Sequence, residues 1–444
     1  MGNTVEIKQG KLQGVEGEYS WIFKGIPYAR PPVGPLRFHA PEPAEPWEGV
    51  YQADHFQSIC PQPGQQPGSF YEKEFYDNPD FMPPQSEDCL YLNVWTPKET
   101  DETTGKPFPV AIWFHGGGFM NGFGSELEFD GEAYAKRGIV LVTVNYRLGM
   151  FGYFAHPQLR ARDGHSGNYG MLDQIAAVDW VRENIASFGG DPDQITIFGQ
   201  SAGGMSVRAL ISSPLMKGKI KGAILQSCGG YHSPLSVGAN GEKLEKAGEK
   251  FLKKQKMTLE ELYQMPAEEL LALTMKFMMT AVPYTRQMLS LAPVEDGYAL
   301  IRPCDETLEQ GEALPISYMI GCTKNDIQVS KAGVRNPQKN KLYTSMEEWS
   351  LMQEKLGNPN YAYYFTRQLP GDEEGAFHSA ELWYMFGTID RCWRPLTEED
   401  RALSEEMLDA WAAFIKTGNP GWDRYTKDNP VVKIFDIQTG EANL

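Results

Sequence analysis

The sequence predicts an α/β fold with a mostly parallel, twisted central sheet and helices on both of its faces. Seven short apolar runs rich in β-forming residues are spread along the 444 residues. The central runs lack the polar alternation of a half-exposed strand, as strands covered on both faces should. Helix-compatible stretches at 171–187 and 405–416 separate several of them, which is typical of a parallel sheet. The predicted strands are 110–114, 139–144, 195–198, 223–225, 316–320, 361–365 and 431–435.

One motif indicates a reactive serine. The pattern G-x-S-x-G spans 199–203, between the predicted strand 195–198 and a helix-compatible run at 205–211. In this strand–turn–helix context a strained turn, the nucleophile elbow, raises the serine above the sheet at a helix N-terminus. The turn requires small neighbours, and glycine and alanine flank Ser201 here. Ordinary Gly/Ser-rich loops carry the same pattern, so the prediction depends on a second motif.

That second motif is an H-G-G-G run that begins at His115, directly after the first predicted strand. Consecutive glycines let backbone N–H groups turn toward a negative charge. Preorganised donors of this kind stabilise the oxyanion that forms when a serine attacks a carbonyl carbon. Together with the elbow, the run predicts an oxyanion hole formed by the N–H groups of Gly117, Gly118 and Ala202. A flexible turn is the alternative interpretation of the glycines.

Further short motifs follow in a fixed order along the chain. They are FKGIPYA at 23–29, PPVGPLRF at 31–38, SEDCLYLNV at 86–94, NYRLG at 145–149, NYGMLDQ at 168–174, WVRENI at 180–185, FGGDP at 188–192 and FIKTGNP at 414–420. With the elbow and the H-G-G-G run, this series resembles the type-B carboxylesterases, the α/β-hydrolase family of the cholinesterases and bacterial para-nitrobenzyl esterases. The resemblance implies one α/β-hydrolase domain over 1–444 that cleaves carboxylic esters through an acyl-enzyme.

Two histidines follow Ser201 in the chain, His232 and His378. The order in this fold is serine, acid, histidine. The segment HSAELWYMFG that starts at His378 resembles the family segment with the catalytic histidine. We therefore expect His378 to take the Ser201 proton and to return it to the leaving alcohol. His232, soon after the predicted strand 223–225, is the alternative.

The expected acid of the triad departs from the family pattern. There, a glycine that ends a strand is followed by four further residues and then by Glu-Gly. Here the strand 316–320 ends at Gly321, and the matching position is Asp326, followed by Ile327. Aspartate can orient and stabilise an imidazolium as glutamate does. Asp296, in what resembles a structural turn of the family, is the alternative carboxylate.

Two insertions are expected over the serine. The segment 61–87 is rich in proline, glycine and aromatic residues, and 235–292 is helical with a Thr258–Glu261 capping box. In the family these regions form the rim and wall of a gorge, so we expect a gorge-rim loop and a helical cap. Most of the cap's Met/Phe cluster is expected to be core, with a few members facing substrate. The cluster is Met275, Phe277, Met278, Met279 and Met288.

Composition and charge disfavour several classes of partner and site. The net charge of −17 disfavours nucleic acid and anionic membranes as partners. There is no apolar run of 18 residues, which excludes a typical spanning helix, and no Cys-x-x-Cys pair, so neither metal nor cofactor is expected. A small or aromatic ester, including the hydroxycinnamate type, is the expected substrate. A catalytically silent adhesion or scaffold protein and an amidase are the alternatives.

The compartment is predicted from the N-terminus and the cysteines. The chain starts without a basic-then-apolar leader and contains no Asn-x-Ser/Thr sequon, which favours the cytoplasm over secretion. Cys60 and Cys89 match the positions that close a disulfide loop in secreted relatives. In a reducing compartment they would be two buried thiols. The sequence leaves both states open.

Overall fold

The strands and helices are taken from a computed structural model, which describes residues 2–99, 105–287, 289–437 and 440–442. Met288 of the predicted cap cluster lies outside the described residues. The strands are β1 (Thr4–Ile7), β2 (Gly10–Gln13), β3 (Val15–Glu16), β4 (Ser20–Pro27), β5 (Val50–Gln52), β6 (Tyr91–Pro97), β7 (Phe108–Phe114), β8 (Val140–Val144), β9 (Gly190–Gln200), β10 (Gly222–Gln226), β11 (Ala239–Asn240), β12 (Val294–Glu295), β13 (Ser317–Thr323), β14 (Asn360–Phe365), β15 (Val432–Phe435) and β16 (Gly440–Ala442).

The α-helices of the described residues alternate with these strands along most of the chain. They are α1 (Phe70–Phe75), α2 (Glu132–Lys136), α3 (Gly149–Tyr153), α4 (Pro157–Asp163), α5 (Tyr169–Asn184), α6 (Ala202–Ile211), α7 (Gly241–Gln255), α8 (Leu259–Gln264), α9 (Ala267–Thr285), α10 (Cys304–Glu309), α11 (Lys331–Arg335), α12 (Lys341–Lys355), α13 (Leu382–Met385) and α14 (Glu398–Thr417).

The main sheet has 11 strands in the order β16-β15-β14-β13-β10-β9-β7-β8-β6-β4-β3. The run from β15 to β8 is parallel throughout, whereas β16, β6, β4 and β3 join it in antiparallel fashion at the two edges. The predicted mostly parallel α/β-hydrolase sheet is therefore confirmed. The seven predicted strands correspond to β7, β8, β9, β10, β13, β14 and β15.

Burial on both faces explains why the parallel strands are apolar at every position. Successive side chains of a strand point to opposite faces of the sheet. In β7, Ile112 and Phe114 belong to one core, which also contains Met205 of α6. Trp113 belongs to the core on the other face, with Trp411 of α14. Both cores are closed by helices, as predicted.

The two insertions differ in their structure. Within 61–87 the only α-helix of the described residues is α1, whereas 235–292 contains α7, α8 and α9. The capping box at the start of α8 is present, with hydrogen bonds in both directions between Thr258 and Glu261. In the described residues the second insertion is therefore largely helical.

The prediction that most of the Met/Phe cluster is core was wrong for Met275 and Met279, whereas Met278 packs against the core. Phe277 is fully buried, but Met275 is 50% exposed and Met279 is 68% exposed. The reason is the position of α9 at the surface, where only one face of the helix packs inward. Residues on that face, such as Leu270 and Thr274, are buried, and the two methionines lie beyond it.

Cys60 and Cys89 lie side by side in the core beneath the rim loop. The structure describes both as buried thiols, and the hydrogen bond that the Cys89 thiol donates to Cys60, together with burial, raises the pKa of Cys89 well above its usual value. Cys60 Sγ also accepts a hydrogen bond from the Leu148 N–H at 3.2 Å. The two residues therefore tie the rim loop to the segment before α3.

None of the helices in the described ranges combines the length and the apolar character of a membrane span.

Candidate active site

Ser201 lies in the turn between β9 and α6, the context that the sequence predicts. Its φ of 57° and ψ of −125° are strained for a residue with a side chain. Two backbone hydrogen bonds hold the turn. The Ser201 N–H donates to Gln226 O on β10 at 2.9 Å, and the Met205 N–H donates to Ser201 O at 2.9 Å. The surrounding sheet and helix therefore fix the strained conformation.

The small residues around the serine are required by a close approach to the end of β7. A Cβ atom added at Gly203 would lie 2.0 Å from Phe114 O, closer than real Cβ contacts ever come. One added at Gly116 would lie 3.3 Å from Ser201 Cβ. The first turn of α6 thus packs directly against the strand end from which the H-G-G-G run begins, and the run passes beside the serine.

The H-G-G-G run adopts a tight turn. Gly117 has a φ of 91° and Gly118 a φ of 64°, in the left-handed region that favours glycine. Gly117 O accepts hydrogen bonds from the N–H groups of Met120 and Asn121, at 3.0 and 3.1 Å. These bonds fix the turn from its far side, so the glycine amides need not rearrange during a reaction.

The three predicted oxyanion donors, Gly117, Gly118 and Ala202, have no acceptor among the described residues. Within residues 2–99, 105–287, 289–437 and 440–442, no acceptor is hydrogen-bonded to the N–H groups of Gly117, Gly118 or Ala202. These three are called the free N–H groups below. Gly117 and Gly118 are half-buried and Ala202 is buried. Buried backbone donors are normally paired, so the unpaired N–H of Ala202 indicates a position that a ligand completes.

His378 and Asp326 are brought together by two neighbouring loops. Asp326 follows β13, and His378 lies between β14 and α13. The loops meet at a short bridge in which the Asn325 N–H donates to Ala376 O at 2.9 Å. His378 Nδ1 then lies 2.5 Å from Asp326 Oδ1. A charge-assisted hydrogen bond of this length fixes the imidazole with Nδ1 protonated and leaves Nε2 as the basic nitrogen.

Both carboxylate oxygens of Asp326 are occupied. Oδ1 accepts the His378 Nδ1–H and the Ile327 N–H, the latter at 2.8 Å, and Oδ2 accepts the Thr323 N–H at 3.1 Å. The carboxylate is buried, with the side chain fully shielded from solvent. With four residues between it and Gly321, Asp326 lies where it can hold the histidine, although Ile327 replaces the glycine of the family pattern.

The His378 ring lies beside the elbow. The Gln200 side-chain amide nitrogen is 3.3 Å from His378 Nε2, and Gln200 immediately precedes Ser201. Within the described residues no hydrogen bond joins Ser201 to His378. Such bonds are often long in an unliganded enzyme and shorten when substrate is bound.

The electrostatics favour a histidine that titrates above its usual range. Burial alone lowers the pKa of His378, but the charge of Asp326, its hydrogen bond and the charge of Glu381 outweigh burial and raise it. An imidazolium is therefore stabilised in this position, as a base that must accept a proton requires.

Glu381 is a residue that the sequence analysis missed. It is fully buried three residues after His378, and its Oε1 accepts a hydrogen bond from Ser227 Oγ at 3.3 Å. Burial and the charge of Asp326 raise its pKa to about 7. The signal was the glutamate in the HSAE segment, but only tertiary packing shows that it is buried beside Asp326.

The alternative residues lie in other surroundings. Asp296 caps a turn, and its Oδ1 accepts the N–H groups of Tyr298 and Leu300, each at 3.0 Å. The His232 side chain is 62% exposed and pairs with Glu348 at 3.2 Å. The hydrogen bonds of the structure join His378 to Asp326 and not to Asp296.

Both insertions reach this site. The Tyr71 hydroxyl on α1 donates to His378 O at 3.3 Å. On the cap side, a Leu289 methyl lies 3.8 Å from the position of a Gly118 Cβ, and Ser290 Oγ ties this segment to Met278 O of α9 at 3.2 Å. The rim helix therefore borders the histidine and the cap borders the H-G-G-G run.

Comparison with known proteins identifies the family. A model of the carboxylesterase family matches residues 2–353 and 339–440. The para-nitrobenzyl esterase of Bacillus subtilis is 33% identical over an alignment 488 positions long, gaps included, which covers 98% of this chain and 95% of that protein. The fumonisin B1 esterase of Sphingopyxis macrogoltabida is 36% identical over an alignment 499 positions long, gaps included, which covers 98% of this chain and 86% of that protein.

A solved structure of a PNB esterase has the same fold as this chain. A thermophilic PNB esterase superposes with a TM-score of 0.85 at 31% identity, over 100% of this chain and 98% of the other. The similarity thus extends over the sheet, the elbow and both insertions rather than over one motif. The chain belongs to the carboxylesterase family, and the protein is a carboxylic ester hydrolase.

Proposed function

We propose that the protein cleaves small or aromatic esters through an acyl-enzyme, with Ser201 as nucleophile, His378 as base and Asp326 as the acid that orients it. The three free N–H groups form the oxyanion hole. One observation carries the proposal above all. His378 Nδ1 is held 2.5 Å from the buried carboxylate of Asp326, while its ring lies beside the strained turn of Ser201.

The acylation step follows from this arrangement. Ser201 Oγ attacks the ester carbonyl carbon while His378 Nε2 takes the serine proton, and Asp326 stabilises the imidazolium that results. The negative charge that develops on the carbonyl oxygen is met by the free N–H groups, which need no reorganisation. His378 then gives its proton to the alkoxide oxygen, the C–O bond breaks, and the alcohol leaves.

Deacylation repeats the same chemistry with water. His378 Nε2 takes a proton from a water molecule as its oxygen attacks the acyl carbon of the Ser201 ester. The free N–H groups hold the second oxyanion, and the proton returns to Ser201 Oγ as the carboxylic acid is released. No metal ion or cofactor has a role in this scheme.

The residues that border the site support small or aromatic esters. The rim helix α1 carries Phe70, Tyr71 and Phe75, whose rings pack on one another and on Phe377, next to His378. Of the three, Tyr71 is exposed and contacts the His378 backbone. Aromatic walls favour flat aryl groups. On the cap side, the apolar side chain of Leu289 lies beside Gly118. Relatives named for para-nitrobenzyl and fumonisin esters are consistent with substrates other than simple lipids.

A panel of esters tests the proposal. Initial rates are measured for soluble p-nitrophenyl esters of short, medium and long acyl chains, for methyl esters of hydroxycinnamic acids and for an emulsified long-chain triglyceride. We expect short-chain and aryl esters to be cleaved fastest. The Ser201→Ala variant, shown to be folded by circular dichroism, should lose several orders of magnitude in turnover on all of them.

Two outcomes would overturn the proposal. Near-wild-type turnover by pure, folded Ser201→Ala would exclude the serine mechanism. Faster cleavage of emulsified triglyceride than of soluble aryl esters would exclude the substrate class. Matched anilides of the same acids, run beside the esters, reveal an amidase if their turnover is the greater.

A further inference from the structure

The rim helix α1 contacts the histidine loop at several points, although nothing in the proposed chemistry uses it. It has six residues, Phe70–Phe75. The preceding residue, Ser69, is the N-cap, and its Oγ accepts the Glu72 N–H at 3.3 Å. A helix of this length has little stability of its own. Its position therefore depends on what its side chains contact.

A buried carboxylate anchors the helix. Glu74 is 2% exposed and accepts hydrogen bonds from Trp383 Nε1 at 2.9 Å, Trp393 Nε1 at 2.8 Å and Arg394 Nε at 3.0 Å. Arg394 in turn makes a two-pronged ion pair with Asp372, at 2.9 and 2.8 Å. A buried charge with this many partners is costly to release, so α1 is fixed and does not act as a mobile lid.

Aromatic packing continues the anchoring up to the histidine. The Phe70 ring meets Phe377 edge to face with ring centroids 4.9 Å apart, and the Phe75 ring stacks on Trp383 at 5.3 Å. Arg394 also lies over the Phe377 ring at 4.9 Å. Because Phe377 precedes His378, these contacts fix one side of the histidine's backbone.

Tyr71 fixes the other side. Its hydroxyl donates to the backbone carbonyl of His378 at 3.3 Å, and among the described residues it is the one donor to that oxygen. The next residue, Ser379, has a φ of 81°, which is strained for serine. The Tyr71 bond therefore holds the peptide group between the histidine and a strained residue.

We propose that Tyr71 is a positioning residue for His378, which keeps the imidazole aligned with Ser201 by holding the His378 carbonyl from the fixed helix α1. The inference rests on the proposed role of His378. Burial and the charges of Asp326, Glu381 and Glu374 raise the pKa of Tyr71, so its hydroxyl stays protonated and remains a donor throughout the working pH range.

The test uses Tyr71→Phe, which keeps the ring and removes only the hydroxyl. A positioning role predicts that kcat on a soluble p-nitrophenyl ester falls about fivefold, the equivalent of one neutral hydrogen bond, while KM stays within about twofold. Rates are expressed per active site titrated with a fluorophosphonate, so that only folded enzyme is counted. The rate constant of fluorophosphonate inactivation, which also depends on His378, should fall by the same factor.

Tyr51→Phe is the matched control. Its hydroxyl likewise donates to a backbone carbonyl, Gly25 O at 2.8 Å, but in the small N-terminal sheet. We expect it to leave kcat and the inactivation rate unchanged, whatever it does to thermal stability. Wild-type kcat in titrated Tyr71→Phe, or a change confined to KM, would overturn the inference.

A further variant separates this inference from the proposed function. If His378→Ala keeps wild-type turnover, the proposed function itself has failed. If His378→Ala is inactive and Tyr71→Phe equals the wild type in kcat, only the positioning role of Tyr71 is wrong.

Discussion

Replacing Asp326 by asparagine is the most informative single substitution in the predicted triad. The asparagine side chain has one acceptor oxygen where the aspartate has two, and both carboxylate oxygens of Asp326 already accept N–H groups. In either orientation the new NH₂ group therefore meets an N–H donor, from Thr323 in one orientation or from His378 in the other. Solvent cannot readily relieve this conflict, since the side chain is fully shielded.

The expected loss is large because the charge and the tautomer are affected together. An asparagine cannot stabilise the imidazolium, and it favours the tautomer with its proton on the wrong nitrogen. Losses in other triads suggest about a 10⁴-fold fall in kcat, equivalent to about 5 kcal/mol in the activation barrier. The charge of Asp326 is also what raises the pKa of His378 against the effect of burial. The variant's residual activity should therefore persist to lower pH than that of the wild type, whose activity falls as His378 becomes protonated.

The assay compares two variants on one soluble ester. Asp296→Asn is the matched control, because its Oδ1 accepts two N–H groups and an amide oxygen can accept both. We expect its kcat to stay within about twofold of the wild type, since one accepting oxygen is preserved. Circular dichroism establishes that both variants are folded, and rates are taken over a range from acidic to mildly alkaline pH. A large loss at Asp296 with little change at Asp326 would refute the assignment of the acid.

Two further predictions concern stability. Burial raises the pKa values of two neighbouring carboxyls that share a hydrogen bond, Glu126 and Glu128. Protonation of this pair therefore stabilises the folded state at acidic pH, and that contribution is lost as pH rises toward neutrality. Glu126→Gln should reduce the difference in unfolding free energy between about pH 5 and about pH 8, measured by urea unfolding, and an unchanged difference would contradict the cause. The 11-stranded sheet takes strands from both ends of the chain, so we expect the proposed single domain to give one calorimetric transition, whereas two separated transitions would indicate independent units.

The parallel part of the sheet could be predicted because its physical cause is local. A strand buried on both faces must be apolar at successive positions, as 110–114 is, and all seven predicted strands lie in the parallel region. Strand β6 escaped prediction because polar residues interrupt it. One of them, Asn93, is buried and accepts the Gly25 N–H at 2.8 Å. Only the tertiary partner makes such a residue acceptable inside a sheet.

The features of the candidate site likewise fall into those that the sequence predicts and those that only tertiary packing reveals. The elbow and the oxyanion loop depend on small residues that allow close approach, and such residues are visible in the sequence. Asp326 could be selected only through family resemblance, because its partner His378 is 52 residues away in the chain. Glu381 was missed and Met279 was misjudged, since burial of a single side chain depends on which helix face packs inward.

The central claim is that Ser201 carries the acyl group, and labelling by a fluorophosphonate tests it most directly. The protein is treated with an equimolar probe, residual ester hydrolysis is measured, and the adduct is located by peptide mass spectrometry. We predict that activity is lost in proportion to labelling and that the added mass lies on Ser201, with no label on Ser201→Ala. Inactivation with the adduct on another residue, or full activity with Ser201 labelled, would contradict the account.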